Sequence, residues 1–215
     1  MRIPSPCTLK WMRGGTDINP ATDFIRQHYF QTYGAKLSNT LPHILILSDS
    51  ETTLRAACGI MPAGRGTLFL ENYLNTPAEL AMRTLFDPPP ARAGIVEIGN
   101  FAATDGASAR VMYAAVCLLL NHYGFRHIVF TGTVKIRNIF SRMNLHPVYL
   151  AEAKAESLSA GSDAWGSYYH HAPQVMAGEL AGGQKALASQ SLLLNLFPSL
   201  PSAPWQQEPE VYHAH

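Results

Sequence analysis

Residues 95–131 constrain this chain more than any other stretch. Ile95–Ala102 (IVEIGNFA) reads as a strand, Ala109–Tyr123 as a helix closed by Gly124, and His127–Thr131 (HIVFT) as a second strand. A strand, a helix of roughly fifteen residues and a strand make a βαβ unit. Its connection is right-handed, so both strands belong to one sheet, beside or near each other. The helix is apolar almost all round and is expected to be buried.

The flanks supply more of a mixed α/β domain. Asn19–Asp23 is a turn into a helix through Phe24, Ile25, His28 and Tyr29, with Arg26 and Gln27 on its polar face. The apolar runs 42–47 and 54–60, parted by the polar stretch 48–52, predict a hairpin. Thr67–Tyr73 reads as a strand, and Pro77–Met82 as a short helix stopped by Pro88–Pro90. A helix over Val134–Met143 and a strand over Leu145–Leu150 follow, then a surface loop or short helix from Glu152 to Asp163. Beyond residue 180 the composition turns to Gly, Ala, Gln and Pro, which predicts a domain over 1–180 and, over 181–215, a helix at Leu187–Leu196 with a flexible tail.

Composition removes several classes of function. A chain of 215 residues, 47% apolar, can bury a sizeable core. Its net charge of +1, with 14% charged residues, gives no field that would recommend nucleic acid as a partner. Cys7, Cys58 and Cys117 lie far apart and form no CxxC pair, the usage of a reducing compartment, and they support neither a disulfide scaffold nor a zinc site. The first fifteen residues lack the apolar region of a signal peptide, so the expected location is cytoplasmic. The longest apolar run, Val111–Leu120, falls short of the roughly 18–20 residues of a spanning helix, so no integral membrane segment is expected.

Four segments can carry chemistry. In Ile95–Ala102, alternation sets Ile95, Glu97 and Gly99 on one face and Val96, Ile98 and Asn100 on the other. A carboxylate in a central strand must be paired, protonated or solvated in a cleft, although an edge-strand Glu in an ordinary salt bridge fits the segment equally. Gly99 suits a bulge or the close approach of a ligand to the backbone. The turn 104–110, with Gly106, Ser108 and Arg110, could offer free N–H groups to a phosphate, or simply hold an N-cap. At 131–138, Thr131, Thr133, Arg137 and Asn138 stand where a strand ends and a helix begins, a common place for ligands in open sheets. The aromatic run 163–173, with Trp165 and Tyr168, reads either as a pocket lid or as a core-packing extended strand. No HExxH, nucleophile elbow, Walker loop or glycosidase carboxylate pair is present.

FLENYL at 69–74, IVEIGNFA at 95–102, GASAR at 106–110, the run HIVFTGTVKIRNIFSRMNL at 127–145 and WGSYYHHAPQVMAG at 165–178 together resemble the thermostable hemolysin family. The layout is also similar to acyl-homoserine-lactone synthases, whose Glu-x-Ser-Arg-Phe strand motif aligns with Glu97–Phe101, with Asn100 in place of the arginine. The resemblance implies a GNAT-like fold: a mixed central sheet flanked by helices, with central strands splayed apart around the pantetheine of a thioester. It implies acyl transfer from acyl-CoA or an acyl-carrier protein to a small amine, with no tightly bound cofactor and no metal. Glu97 would be the base, directly or through water, and Asn100 would orient the acceptor or polarise the thioester carbonyl, with Glu71, Arg137, Asn138, Trp165 and Tyr168 on the acceptor side. Ile98, Gly99, Phe101, Ala102, Gly106, Ser108, Arg110, Thr131 and Thr133 would hold the donor. Asn100 in place of the arginine, and the missing amino-terminal tryptophan and aspartate pattern, argue against S-adenosylmethionine as acceptor, while the single glycine of the turn 104–110 favours a carrier-protein thioester over free acyl-CoA. A membrane-active lytic protein and a non-catalytic GNAT-like binding module are the alternatives.

Overall fold

The computed structural model describes residues 7–158, 162–183, 197 and 199–206. Seven strands form one sheet: β1 (Thr8–Arg13), β2 (His43–Ser48), β3 (Leu54–Pro62), β4 (Ile95–Ala103), β5 (His127–Gly132), β6 (Val148–Glu152) and β7 (Gln174–Glu179), in the order β1-β2-β3-β4-β5-β7-β6. Only β4 and β5 pair in parallel, and every other neighbouring pair is antiparallel. Helices α1 (Pro20–Tyr33), α2 (Ala78–Ala81), α3 (Gly106–His122) and α4 (Val134–Arg142) pack around it.

The expected βαβ unit is β4, α3 and β5. Its two strands pair only from Ile95–His127 to Ile98–Phe130. Beyond that point β4 stays on β3, through Gly59–Gly99 and Ala57–Ala102, while β5 stays on β7, through Thr131–Val175 and Gly132–Gln174. A wedge therefore opens in the middle of the sheet, and the expectation of splayed central strands is met.

A bulge helps to drive the strands apart. The register of β4 on β3 slips by one residue between the Ala57 and Gly59 pairs, and Asn100 takes up the slack at φ +50°. Asparagine tolerates this left-handed conformation better than most residues. Its side chain then does a second job: Leu41 N–H donates to Asn100 Oδ1 at 2.7 Å, tying the loop before β2 to the bulge. Gly59 makes room for this, since a Cβ there would lie 2.9 Å from Asn100 Oδ1 and 2.8 Å from Leu41 Cβ.

Alternation along β4 sorts the core. Val96, with Phe130, packs under α3 and α4 together with Met112, Leu119 and Phe140, whereas Ile95 and Val129 face Leu70 and Val175 on the opposite side. There α1 also lies, through Ile25 and Tyr29, against Ile44, Ala57 and Ala102. The buried apolar helix expected from the sequence is α3, most of whose residues are buried.

Several elements differ from expectation. Residues 67–73 do not form a strand; Phe69–Tyr73 is a 3₁₀ turn, because carboxylates take the amides a strand would need: Phe69 N–H and Leu70 N–H donate to Glu97, and Leu68 N–H to Glu71. The aromatic run is not an extended strand but a pair of 3₁₀ turns, Ser162–Trp165 and Tyr168–His171. Strands β1 and β7 were not anticipated, and β6 begins at Val148, after Pro147, rather than at residue 145. The helix expected at 187–196 lies outside the described residues. Part of the expected tail is packed: Trp205 is 7% exposed and sits edge-on to Trp11 at 5.2 Å, with Ala203 fully buried.

Replacing Asn100 with Ala should strand a backbone N–H and put an ordinary side chain at positive φ, a combined cost of about 2–4 kcal/mol. Thermal unfolding should move down by about 5–10 °C, and Asn100→Asp, which keeps the acceptor, should recover most of it. A loss below about 2 °C in the Ala variant would mean that the bulge does not depend on this hydrogen bond.

Candidate active site

The opening between β4 and β5 leads into a cavity of about 350 Å³. Its wall comes from both sides of the sheet. Tyr29, Tyr33 and Tyr168 contribute from the α1 side, and Tyr113, Val116, Cys117, Ile136 and Phe140 from the α3–α4 side. Between them lie Ile98, Gly99, Asn100 and Phe101 of β4, and Ile128, Phe130 and Thr131 of β5. A space bounded by residues of both layers passes through the sheet, and only the missing β4–β5 pairing allows that.

The α3–α4 half is mainly apolar, with Asn144, His146 and Glu179 as its polar exceptions. Tyr113 stacks on Phe101 at 4.3 Å with the rings nearly parallel, and Phe140 meets both Tyr113 and Phe130 edge-on. Cys117 is a wall, not a nucleophile, because burial pushes its thiol pKa up to about 12. The α1 half is a nest of phenols. Tyr168 stacks on Tyr29 and meets Tyr33 edge-on at 5.2 Å, while Trp165 packs behind Tyr168 and against Phe69. Burial raises the pKa of Tyr29 and of Tyr168, so both stay neutral hydroxyls. Tyr113, Thr131 and Thr133 each carry a buried hydroxyl with no hydrogen-bond partner among the described residues, and all three line the cavity.

Glu97 sits one residue before the last β4–β5 pair but on the face away from α3, 3% exposed. Phe69 N–H donates to Oε2 at 2.7 Å and Leu70 N–H to Oε1 at 3.1 Å, so the carboxyl group anchors the 3₁₀ turn. Burial pushes its pKa up to about 8, against the pull of these two amides and with a further push from the charge of Glu71. Glu97 does not itself line the cavity.

Glu71 is fully engaged. Burial alone would raise its pKa, but Arg92 and the amides of Ala78 and Leu68 reverse that and lower it. Arg92 reaches Glu71 Oε1 and Glu79 at 2.7 Å each and the Gly66 carbonyl at 2.8 Å, which fixes the turn that Glu97 holds from the other side. Glu71 therefore supports the Glu97 loop and has no oxygen turned to the cavity.

The two helices that begin beside the opening differ at their N-termini. In α3, Asp105 Oδ1 accepts from Ala107 N–H at 2.9 Å and Ser108 N–H at 2.8 Å, and Oδ2 accepts from the Ser108 hydroxyl. The turn 104–110 is an N-cap with its amides occupied; Ser108 is buried within it, Gly106 is the first helical residue and Arg110 is exposed. In α4, Thr133 occupies the N-cap position but its side chain makes no capping bond.

Of the residues expected from the sequence, the structure brings Ile98, Gly99, Asn100, Phe101, Thr131, Thr133 and Tyr168 together around the cavity. Ala102 packs on the α1 side instead, and Asn138 is exposed. Arg137 is spent on the carbonyls of Gly132 and Ala172, both at 2.9 Å, and so locks α4 to the loop before β7. Sequence reasoning missed Tyr29, Tyr33, Tyr113, Ile136 and Phe140. The i, i+4 spacing of Tyr29 and Tyr33, and the single phenol in an otherwise aliphatic helix at Tyr113, were the available signals.

A mixed sheet whose two central parallel strands part, with a helix after each and a cavity through the gap, is a GNAT-like, acyl-CoA N-acyltransferase-like fold. The chain belongs to the thermostable hemolysin family, whose sequence model matches residues 13–184. Among solved structures it is similar to FeeM, an N-acyl amino acid synthase from uncultured soil microbes, at 13% identity and a TM-score of 0.56, covering 86% of this chain and 97% of that one. It is similar to the AHL synthase LasI at 13% identity and a TM-score of 0.53, with 86% and 96% covered, and to apo TofI at 14% and 0.53, with 84% and 96% covered. No curated protein matches it.

The pH dependence of stability should expose Glu97. Its folded pKa of about 8 exceeds the ordinary 4.5, so the folded state holds the proton more tightly. That stabilisation is complete below pH 4.5 and is lost as pH rises through about 8. Denaturant titrations of wild type and Glu97→Gln should show the wild type losing stability relative to the variant between those limits. Parallel curves would place the native pKa near the unfolded one.

Proposed function

We propose that this protein transfers an acyl group from a phosphopantetheine thioester, on CoA or on an acyl-carrier protein, to a small amine. The observation that carries the reading is the cavity that passes through the β4–β5 opening, with an apolar half on one side of the sheet and a hydroxyl-lined half on the other. An acyl chain suits the pocket walled by Val116, Ile128, Phe130 and Phe140, whose volume lies at the small end of ligand sites. The thioester would then lie in the opening, and the acceptor would approach from the Tyr29–Tyr33–Tyr168 side. FeeM and LasI, which share this fold, are described as an N-acyl amino acid synthase and an AHL synthase, which supports the reading at the level of reaction class.

The chemistry asks for little beyond alignment. The amine nitrogen attacks the thioester carbon, a C–N bond forms, the C–S bond breaks, and the proton lost by the amine is matched by one gained by the leaving thiolate. Backbone N–H groups of β4 that β5 no longer pairs are the donors for the developing oxyanion. Asn100 adds its Nδ2, since its Oδ1 is held by Leu41. Glu97, with a pKa near neutrality, takes the amine proton through a water, because it stands behind the strand and not in the cavity wall.

A panel of acyl-CoAs, acyl-carrier proteins and acyl-pantetheines tests the reading by thermal shift and product mass spectrometry. A donor at 100 times its Kd should raise the midpoint by about 5–10 °C and yield an N-acyl product with the right amine. A flat panel, with liposome leakage caused by the purified protein, would overturn it in favour of direct lysis. Glu97→Gln should lower turnover by about 100-fold and remove the rise in rate near pH 8, with donor binding little changed. An unaltered pH–rate profile would confine Glu97 to holding the turn.

A further inference from the structure

Helix α4 begins at the edge of the cavity, and its first-turn amides have no acceptor among the described residues. Arg137 N–H reaches the Thr133 carbonyl at 3.0 Å, but the amides of Val134, Lys135 and Ile136 precede the first carbonyl they could use. Thr133 is the natural residue to cap them and does not. Its side chain is turned inward instead, 3% exposed, and its Oγ1 has no hydrogen-bond partner among the described residues. The Tyr33 hydroxyl stands beside it: burial raises the pKa of Tyr33, the Thr133 hydroxyl offsets part of the rise, and the contact falls short of hydrogen-bond geometry. Two hydroxyls and a free helix N-terminus thus face one small space on the cavity wall.

The start of the helix carries no negative charge of its own. No acid lies in the first turn of α4, Lys135 is within it, and Arg137 is pinned to the carbonyls of Gly132 and Ala172 one turn on. Lys135 is also near enough to His28 of α1 to depress its pKa, after the larger effect of burial. At α3 the equivalent amides are already satisfied by the Asp105 carboxylate, whose charge repels a second anion. Of the two helix starts flanking the opening, only that of α4 is prepared for an oxyanion.

We propose that the N-terminus of α4, with the hydroxyls of Thr133 and Tyr33, binds a carboxylate or phosphate oxyanion of the substrate. The inference rests on the acyl-transfer reading only for the anion's source. If the anion belongs to the acceptor, the acceptor is an amino acid, its carboxylate on α4 and its amine toward the thioester. If it belongs to the donor, it is the phosphate of the phosphopantetheine arm.

The test is equilibrium binding, so that it does not depend on turnover. N-decanoylglycine is compared with N-decanoylglycinamide, and 4′-phosphopantetheine with pantetheine, on wild type, Thr133→Val and Tyr33→Phe. At wild type one anionic member should bind about 10-fold tighter than its neutral partner. Each variant should narrow that ratio without weakening the neutral ligand, and because Thr133 makes no capping bond, Thr133→Val should fold normally. A carboxylate preference assigns the site to the acceptor, and a phosphate preference assigns it to the donor. Equal affinity within both pairs at wild type, or a Thr133→Val effect equal on charged and neutral ligands, overturns the proposal. Failure of every acyl thioester to bind would defeat the acyl-transfer reading and leave the charge comparison standing.

Discussion

The parting of β4 from β5 after Ile98 and Phe130 is the constraint on which the rest of this protein depends. Two central parallel strands normally satisfy each other along their whole length, and leaving them apart exposes backbone N–H and C=O groups in the middle of the sheet. The fold holds the gap open from several directions. On β4, the Asn100 bulge shifts the register against β3, and its side chain is fixed by Leu41 N–H. On β5, continued pairing with β7 to Gly132 draws the strand the other way, and Arg137 fastens the following helix to the loop before β7. Aromatic packing of Phe101 on Tyr113, and of Phe140 on Phe130, lines the gap without filling it.

Buried carboxyl chemistry is concentrated on the opposite face, where it is structural before it is anything else. Glu97 binds the start of the 69–73 turn, and Glu71 within that turn is itself held by Arg92. Two carboxyl groups placed near one another in a poorly solvated region cannot both ionise freely. Arg92 settles which one does: it keeps Glu71 charged, and that charge adds to the burial that holds Glu97 near neutrality. The ion pair that stabilises the loop also tunes the group beside the opening.

How much of this was legible in the sequence depended on whether the signal was local. The β4–α3–β5 unit was readable because apolar periodicity and a closing Gly124 lie within one stretch of chain. The face of Glu97 followed from alternation up to Gly99 and failed afterwards, because the bulge at Asn100 is set by pairing with β3 and by Leu41, some sixty residues away. Residues 67–73 read as a strand, yet two carboxylates claim amides within them, one of them from β4. Strand β7 was hidden behind an aromatic run that drew attention to itself, although the strand is the short sequence that follows it. Of the expected positions on the splayed strands, Ile98, Gly99, Asn100, Phe101 and Thr131 line the cavity and Ala102 does not. Tyr29, Tyr33 and Tyr113 did not announce themselves, because their meeting is made by the packing of α1 and α3 across an opening that no local pattern encodes.

The contrast between the two helix starts bears on how such a fold changes its ligand without changing its frame. Both α3 and α4 begin where a splayed strand ends, so each starts with a partial positive charge beside the opening, and that of α4 borders the cavity. A carboxylate at the N-cap, as Asp105 provides for α3, neutralises that charge and fills the amides. A threonine whose hydroxyl turns away, as Thr133 does for α4, leaves both in place. One side chain at each N-cap thus decides whether the helix end is sealed or open to an anion, with the N-cap backbone extended in both cases. A substitution at position 133 that supplied a carboxylate would close the α4 end to an anion, with the strands, the bulge and the apolar pocket left untouched.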